Sequence, residues 1–473
     1  MLRLTCWLPP SSATLANLLP AALLLLAALH LTGCAAHTPR TVQPPPGMPS
    51  AFAGDVTEAT ALPGMTHWWN AFDDHRLDAL MQELFSGNMD LRAATSRLER
   101  AQAAADVAGA ARSPGLNLEG AGGRQRQALP LGPQTDDAYR LSAAAAYELD
   151  LWGRLSSREQ AATTDAQAAA EDVRALRVSL SATLVDLYHL AAEAQAQLEL
   201  NDRAASHAHN SLELTRNRYR EGLVPLLDVH QAQQNLARIR AQRPTHEARL
   251  TQSRNALDVL LGRYPGEQPS ISIPALPVPP DIFAAGLPSE LLTTRPDIRA
   301  AQHRLQAADA RVAAAVADRF PTFSLTAVYG GASTDLGALL ASSNIFWNLL
   351  LNAAQPLLDG GRREAQVRVS EAEFQELLAR YHQAVLQAFA EVEDALTANE
   401  TTARRVLLLE DHRTAAQRTL DTALWRYQHG LNDYLPVLQA QTVLTDTESA
   451  LLTARRQILA DRVQLARALG GAF

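Results

Sequence analysis

The chain has 473 residues, a formal net charge of -8, two cysteines and no lysine, so all 42 basic side chains are arginines. An acidic balance argues against a nucleic-acid binder, which needs a basic face, and the missing lysine excludes a P-loop lysine and any Schiff-base chemistry. With Cys6 in the leader, Cys34 stands alone and no disulfide framework can form.

The leader comes first. Arg3 precedes an apolar run from Leu18 to Leu31 that is short for a bilayer span and ends in small residues, the pattern of a cleaved secretory signal over 1–33. The cysteine in "LTGC" resembles a bacterial lipobox, which makes Cys34 the lipidated N-terminus of the mature protein. Ala35 in place of Asp, by resemblance to the lipoprotein sorting rule, favours the outer membrane. One lipidated cysteine tethers a chain without spanning the bilayer. Residues 34–64, rich in Pro, Ala, Gly and Thr, read as a linker from the lipid to the body. Beyond the leader no run of 18 apolar residues occurs, so membrane entry would require a barrel.

The body is a duplication. "LRAATSRL" at Leu91 returns 207 residues on as "IRAAQHRL", "WGR" at Trp152 returns after 208 as "GGR", and "RYREGLVPLLDVHQAQ" at Arg218 returns ungapped after 208 as "RYQHGLNDYLPVLQAQ". Two copies of one unit are expected, 65–262 and 287–473, joined by a proline-rich connector at 263–286.

In the first copy "HWWNAFDD" opens a helical stretch from His67 to about Ala111, with Trp68 and Trp69 as packing anchors, and Pro114 ends it. A glycine-rich strand from Leu116 to about Gln127 follows, then turn formers around Pro130–Asp137. A cleaner strand then places Tyr139, Leu141, Ala143, Ala145, Tyr147, Leu149 and Leu151 on one face, long enough to cross a membrane when tilted. From Arg154 to about Arg220 there is neither Pro nor Gly, which predicts a helix of roughly 100 Å. Gly222 is placed to take the left-handed conformation beyond it. Pro225 can start a returning helix to about Gly262, which Pro244 can kink.

The second copy repeats the plan. Phe323, Leu325, Ala327 and Tyr329 alternate in one strand, and Trp347, Leu349, Leu351 and Ala353 in the next. In the second rod, Arg362 to about His429, the residues Phe374, Leu378, Tyr381, Val385, Phe389, Val392 and Leu396 form an eleven-residue seam, which keeps packing nearly straight. Gly430 and Asp433 are the matching turn and cap before a helix from Tyr434 to about Leu469. Four strands per chain cannot close a barrel, whereas three chains supply twelve and set the rods side by side as a helical cylinder.

The lipobox, the Trp68-Trp69 opening with Phe72 and Asp73, "ELDLWGR" from Glu148 and the paired "RYxxGL" tips resemble the TolC-type outer membrane efflux proteins, in the NodT-like lipoprotein branch. The resemblance implies an α+β membrane protein: a trimeric twelve-stranded β-barrel continued by a long periplasmic α-helical barrel with coiled-coil hairpins. It implies a passive export duct of a Gram-negative cell, without catalytic activity, cofactor or metal, working with a periplasmic adaptor and an inner membrane pump, often proton-driven. By that resemblance Asp228, six residues after Gly222, sits where the family places a gate aspartate, and Tyr427, three before Gly430, matches its tyrosine partner. Pro436 and Gln439 stand where some relatives carry aspartates and Asn432 replaces a linking arginine, so the acidic ring either uses Asp433 or is weaker. The tips Gly222, Leu223, Val224, Gly430, Leu431 and Asn432 are the expected adaptor contacts, exposed leucine beside a turn being an invitation to a partner.

Plainer roles stand beside these. The helix dipole alone favours an acid at Asp228, and Tyr219 and Tyr427 can simply pack the hairpins. His207 and His209 face different directions on a helix and make a poor metal pair. An elongated periplasmic scaffold lipoprotein would account for the rods and lipid but not for the membrane-length alternating hairpins.

Overall fold

The computed structural model describes residues 37–53, 67–129, 132–266, 275–283, 285 and 288–471. The expected signal 1–33, Cys34 with its lipobox and parts of the linker and connector lie outside the described residues. The chain divides into two compact units. One takes the segment up to Thr41, Ala104–Thr163 and Gln306–Gln375; the other takes the described residues of Val42–Ala103, Thr164–Leu305 and those from Glu376 onward.

The expected opening helix is broken in two places. A 3-10 turn, Trp68–Phe72, buries Trp68, Trp69 and Phe72 and ends at Asp73 in the left-handed conformation. Asp74 then caps α1 (His75–Gly87) by accepting from the Arg76 amide at 2.9 Å. Asn88 takes an extended conformation between α1 and α2 (Met89–Ala110), because its side chain bonds both the Leu91 amide and the distant Leu260 carbonyl.

The first unit is built on a four-stranded sheet, β1 (Gly115–Leu129), β2 (Gly132–Leu149), β3 (Thr322–Ser333) and β4 (Ile345–Ala354), antiparallel throughout and ordered β1-β2-β3-β4. The turn expected around 130–137 is shorter, since β2 pairs with β1 from Gly132 onward and Thr135 and Asp137 join the ladder. Leu151 lies beyond the strand, in the turn before the long helix. The register carries the alternation across all four strands. Leu118, Ala143, Tyr329 and Trp347 form one row, and Leu116, Ala145, Ala327 and Leu349 the next. Side chains two apart share a face, so these rows make one continuous apolar face. It is exposed, with Leu118 at 76% and Trp347 at 74%. The opposite face pairs Glu148 with Ser324 and Ser324 with Asn352. At the base of the hairpins the Trp152 indole donates to the Pro321 carbonyl at 2.7 Å and stacks on Phe320. In the same unit His37 bonds Asp309 and Arg40 clamps Glu371 through two 2.8 Å bonds, so this stretch of the expected linker is pinned.

The two long helices are 67 residues each, α3 (Arg154–Arg220) and α7 (Arg362–Gln428), with bounds within a residue of those read from the sequence. Each starts after an aspartate cap: Asp150 accepts from the Leu155 and Ser156 amides, and Asp359 from Gly361 and Arg363. Of the seam along α7, Phe374, Tyr381, Val385, Val392 and Leu396 are buried. The returning helices are α4 (Leu226–Leu260), which contains Pro244, and α8 (Leu435–Ala468); short α5 (Leu291–Thr294) and α6 (Pro296–Ala317) precede β3.

Each repeat closes on a glycine at positive φ, Gly262 (79°) and Gly470 (92°), 208 residues apart. A Cβ on Gly262 would lie 2.3 Å from the Gly87 carbonyl oxygen. Gly262→Ala is therefore expected to lower stability by roughly 1–3 kcal/mol or more through the strained backbone and forced separation together. Gly266→Ala, with the same sign of φ but open space, is the control, and denaturant midpoints by circular dichroism compare the two.

Candidate functional site

The paired tips are built by the same turn twice. At the end of α3 Gly222 has φ 74°, its amide bonds Tyr219 O at 2.9 Å, and the Leu223 amide bonds Arg218 O at 2.9 Å. At the end of α7 Gly430 has φ 72°, with Gly430 to Tyr427 O at 3.0 Å and Leu431 to Arg426 O at 2.9 Å. This is the Schellman pair of bonds, which satisfies the last helical carbonyls only if a residue tolerates the left-handed region. Leu223 and Leu431 project from the tips, 60% and 57% exposed. Val224 is half-buried against the apolar cluster above, and Asn432 bonds the Asp433 carbonyl with Nδ2 while its Oδ1 is buried without a partner.

Two caps differ from expectation. Pro225 is the N-cap of α4, not its first helical residue, and Tyr434 holds that place on α8, so Asp433 is exposed and does not cap.

An apolar cluster drawn from all four helical arms holds the tips together. Ala208 and Leu212 come from α3, Val229, Ala232, Leu236 and Ile239 from α4, Ala423 and Tyr427 from α7, and Tyr434, Val437 and Ala440 from the α8 tip. Asp228 meets two of its members, the Tyr427 hydroxyl and the Tyr434 amide. Asp228 is only 3% exposed. Burial pushes its carboxyl above the usual carboxylate range and the Asp433 charge adds to this, while the Tyr434 amide, the Tyr427 hydroxyl and the Arg218 cation oppose it. Oδ2 of Asp228 is buried without a hydrogen-bond partner. The Tyr427 hydroxyl itself donates to Thr215 Oγ1 over a long 3.5 Å. Burial raises the Tyr434 phenol to about 12, with a bond to Ser211 opposing, and its ring meets Tyr427 edge-on at 5.5 Å. A buried carboxylate held in this way lowers the stability of the charged tip.

The structure thus brings Asp228 and Tyr427 into one cluster and leaves Asp433 at its exposed rim. Sequence reasoning missed Arg218, Thr215, Ser211 and Tyr434. The signal for Arg218 was present, since "RYxxGL" keeps an arginine at Arg218 and Arg426 alike. Beside the cluster a cavity of about 390 Å³ opens between the arms, lined both by polar side chains such as Asn235, Arg238 and Gln441 and by apolar ones such as Leu200, Leu420 and Leu424. Among the described residues no cluster of metal-ligating side chains occurs, and no helix is long and apolar enough to cross a membrane.

A family model described as outer membrane efflux protein matches residues 80–263 and 287–471. The chain is 32% identical over 95% of its length to the solvent efflux pump outer membrane protein SrpC of Pseudomonas putida, of which 97% is covered. It is 31% identical over 94% of its length to the cation efflux system protein CusC of Escherichia coli K12, again covering 97% of that protein. Among solved structures the outer-membrane channel OprN superposes with a TM-score of 0.87 at 29% identity, over 93% of this chain and 99% of that one.

Proposed function

The chain belongs to the outer membrane efflux protein family, and from that premise we propose that three copies form a passive duct through the outer membrane. Each copy contributes four strands to a twelve-stranded barrel and two helical hairpins to a periplasmic tunnel. The observation that carries this reading is the four-stranded sheet with one continuous exposed apolar face, joined to two helices of 67 residues. A face of that kind is stable only against hydrocarbon or another apolar surface, and a sheet in hydrocarbon must close. A periplasmic scaffold would leave the face uncovered.

Transport in this scheme needs no chemistry from the chain. The inner membrane pump supplies the work, an adaptor joins it to the tips around Gly222, Leu223, Val224, Gly430, Leu431 and Asn432, and the duct opens. Asp228 and Tyr427 form the closing contact and Asp433 the acid at the rim. Cys34 carries the lipid that holds the assembly to the outer membrane.

Detergent-purified protein is expected to have three chain masses by light scattering and to give discrete conductance steps in planar lipid bilayers. A monomer without conductance would overturn the reading.

A further inference from the structure

Arg218 links the two tips across the repeat. It stands in the last turn of α3, yet its Nη1 donates to the Gln428 carbonyl at the end of α7 at 2.6 Å, and its guanidinium lies 5.1 Å from the centre of the Tyr427 ring. Gln428 is the last residue of α7, so no helical amide can take its carbonyl, and the negative end of the helix favours a cation there. The planar guanidinium suits both contacts, donating in its plane and stacking with its face. Arg426, the matching arginine of the second repeat, is exposed.

We propose that Arg218 is a positioning residue of the closure: it ties the end of the second hairpin to the first and holds Tyr427 toward Asp228. This role rests on the duct reading. The arrangement is also poised to change. Arg218 Nε and Asp228 Oδ2 are both buried without hydrogen-bond partners. Groups left unpaired inside protein favour any rearrangement that pairs them. A second hairpin pulled outward breaks the bond to Gln428 and with it the hold of Arg218 on Tyr427.

The test uses the full-length purified protein in planar bilayers, with Arg218→Ala, Arg218→Lys, Arg218→Met and Arg426→Ala, each first shown to elute as the wild-type oligomer. Arg218→Ala and Arg218→Met should raise mean conductance by at least about twofold, because a population shift toward open needs only the loss of the closing bond. Arg218→Lys, which keeps a cation and a donor but not the planar face, should fall between wild type and Arg218→Ala, and Arg426→Ala should remain near wild type. Methionine keeps the stem without the donor, so a closed Arg218→Met channel would reduce Arg218 to packing and overturn the inference. Wild-type conductance in Arg218→Ala, beside a raised conductance in Asp228→Ala, would overturn it while leaving the duct intact. A wild-type protein without channels would overturn the duct reading, and this inference with it.

Discussion

Replacing Asp228 with alanine is expected to raise the single-channel conductance of the purified protein at least about twofold while leaving its stability unchanged or slightly higher. The two halves of that expectation separate the gate from the helix cap. A carboxylate that serves only the dipole of α4 contributes about 0.3–1 kcal/mol, and its loss lowers the denaturation midpoint without touching conductance. Asp228 is in a different position. It is buried, one oxygen is unpaired, and burial together with Asp433 pushes its carboxyl up, so the charged form costs the folded tip stability. The sign follows from linkage. A carboxyl whose folded pKa is raised has its favourable contribution at pH below the unfolded value, and loses it as pH rises through the folded one. At neutral pH alanine removes an unfavourable charge. Tyr427→Phe should open the channel less, because Thr215 holds the hydroxyl as well. Unchanged conductance with a lowered midpoint would return Asp228 to the role of a cap.

A clear loss of stability is expected from Arg295→Ala. Arg295 is 6% exposed just before α6, and its guanidinium donates to the Ala468 carbonyl at 2.8 Å, to both Asp297 oxygens at 3.1 and 2.7 Å, and to Glu391 at 2.8 Å. It therefore joins the start of α6, the middle of α7 and the end of α8. Removing it leaves the Ala468 carbonyl without its donor and two carboxylates without their cation; Asp297 and Glu391 are 48% and 34% exposed, so water takes over part of the loss and the expected cost is about 1.5–3 kcal/mol. Burial raises the Asp297 carboxyl, but the bonds from Arg295 outweigh this and hold it below the usual range. A depressed carboxyl lends stability above its unfolded pKa and loses it as pH falls through the folded one. The gap between wild type and Arg295→Ala should be full at neutral pH and shrink below about pH 4. Urea midpoints by circular dichroism at both pH values check it; a variant within about 1 kcal/mol of wild type would show that Arg295 only fills space.

Much of the fold was legible because its signals are local and long. Sixty-seven residues without Pro or Gly leave little but a helix, and the bounds of α3 and α7 are the residues beside "WGR", "GGR" and the two tip glycines. What stayed hidden depends on partners far along the chain. The break at Asn88 is set by the Leu260 carbonyl 172 residues away, which no pattern around Asn88 announces. The length of β2 comes from pairing with β1, which carries Thr135 and Asp137 into the ladder despite their turn-forming character. At the tips the turn glycines were plain from their spacing. Arg218 was not, because its function is a bond to a backbone carbonyl 210 residues on, and carbonyls have no sequence signature.

The sheet ends in two bare edges of unequal length, β1 with 15 residues and β4 with 10. Backbone groups along such edges cost several kcal/mol each in hydrocarbon, so a lone copy faces a penalty that the proposed ring of three copies removes at once. In the proposed three-copy ring, insertion is a concerted, concentration-dependent event, and a copy with a damaged edge strand poisons the ring it enters. Co-expressed with wild type in equal amounts, such a copy would be dominant negative, leaving roughly one ring in eight intact if copies mix at random.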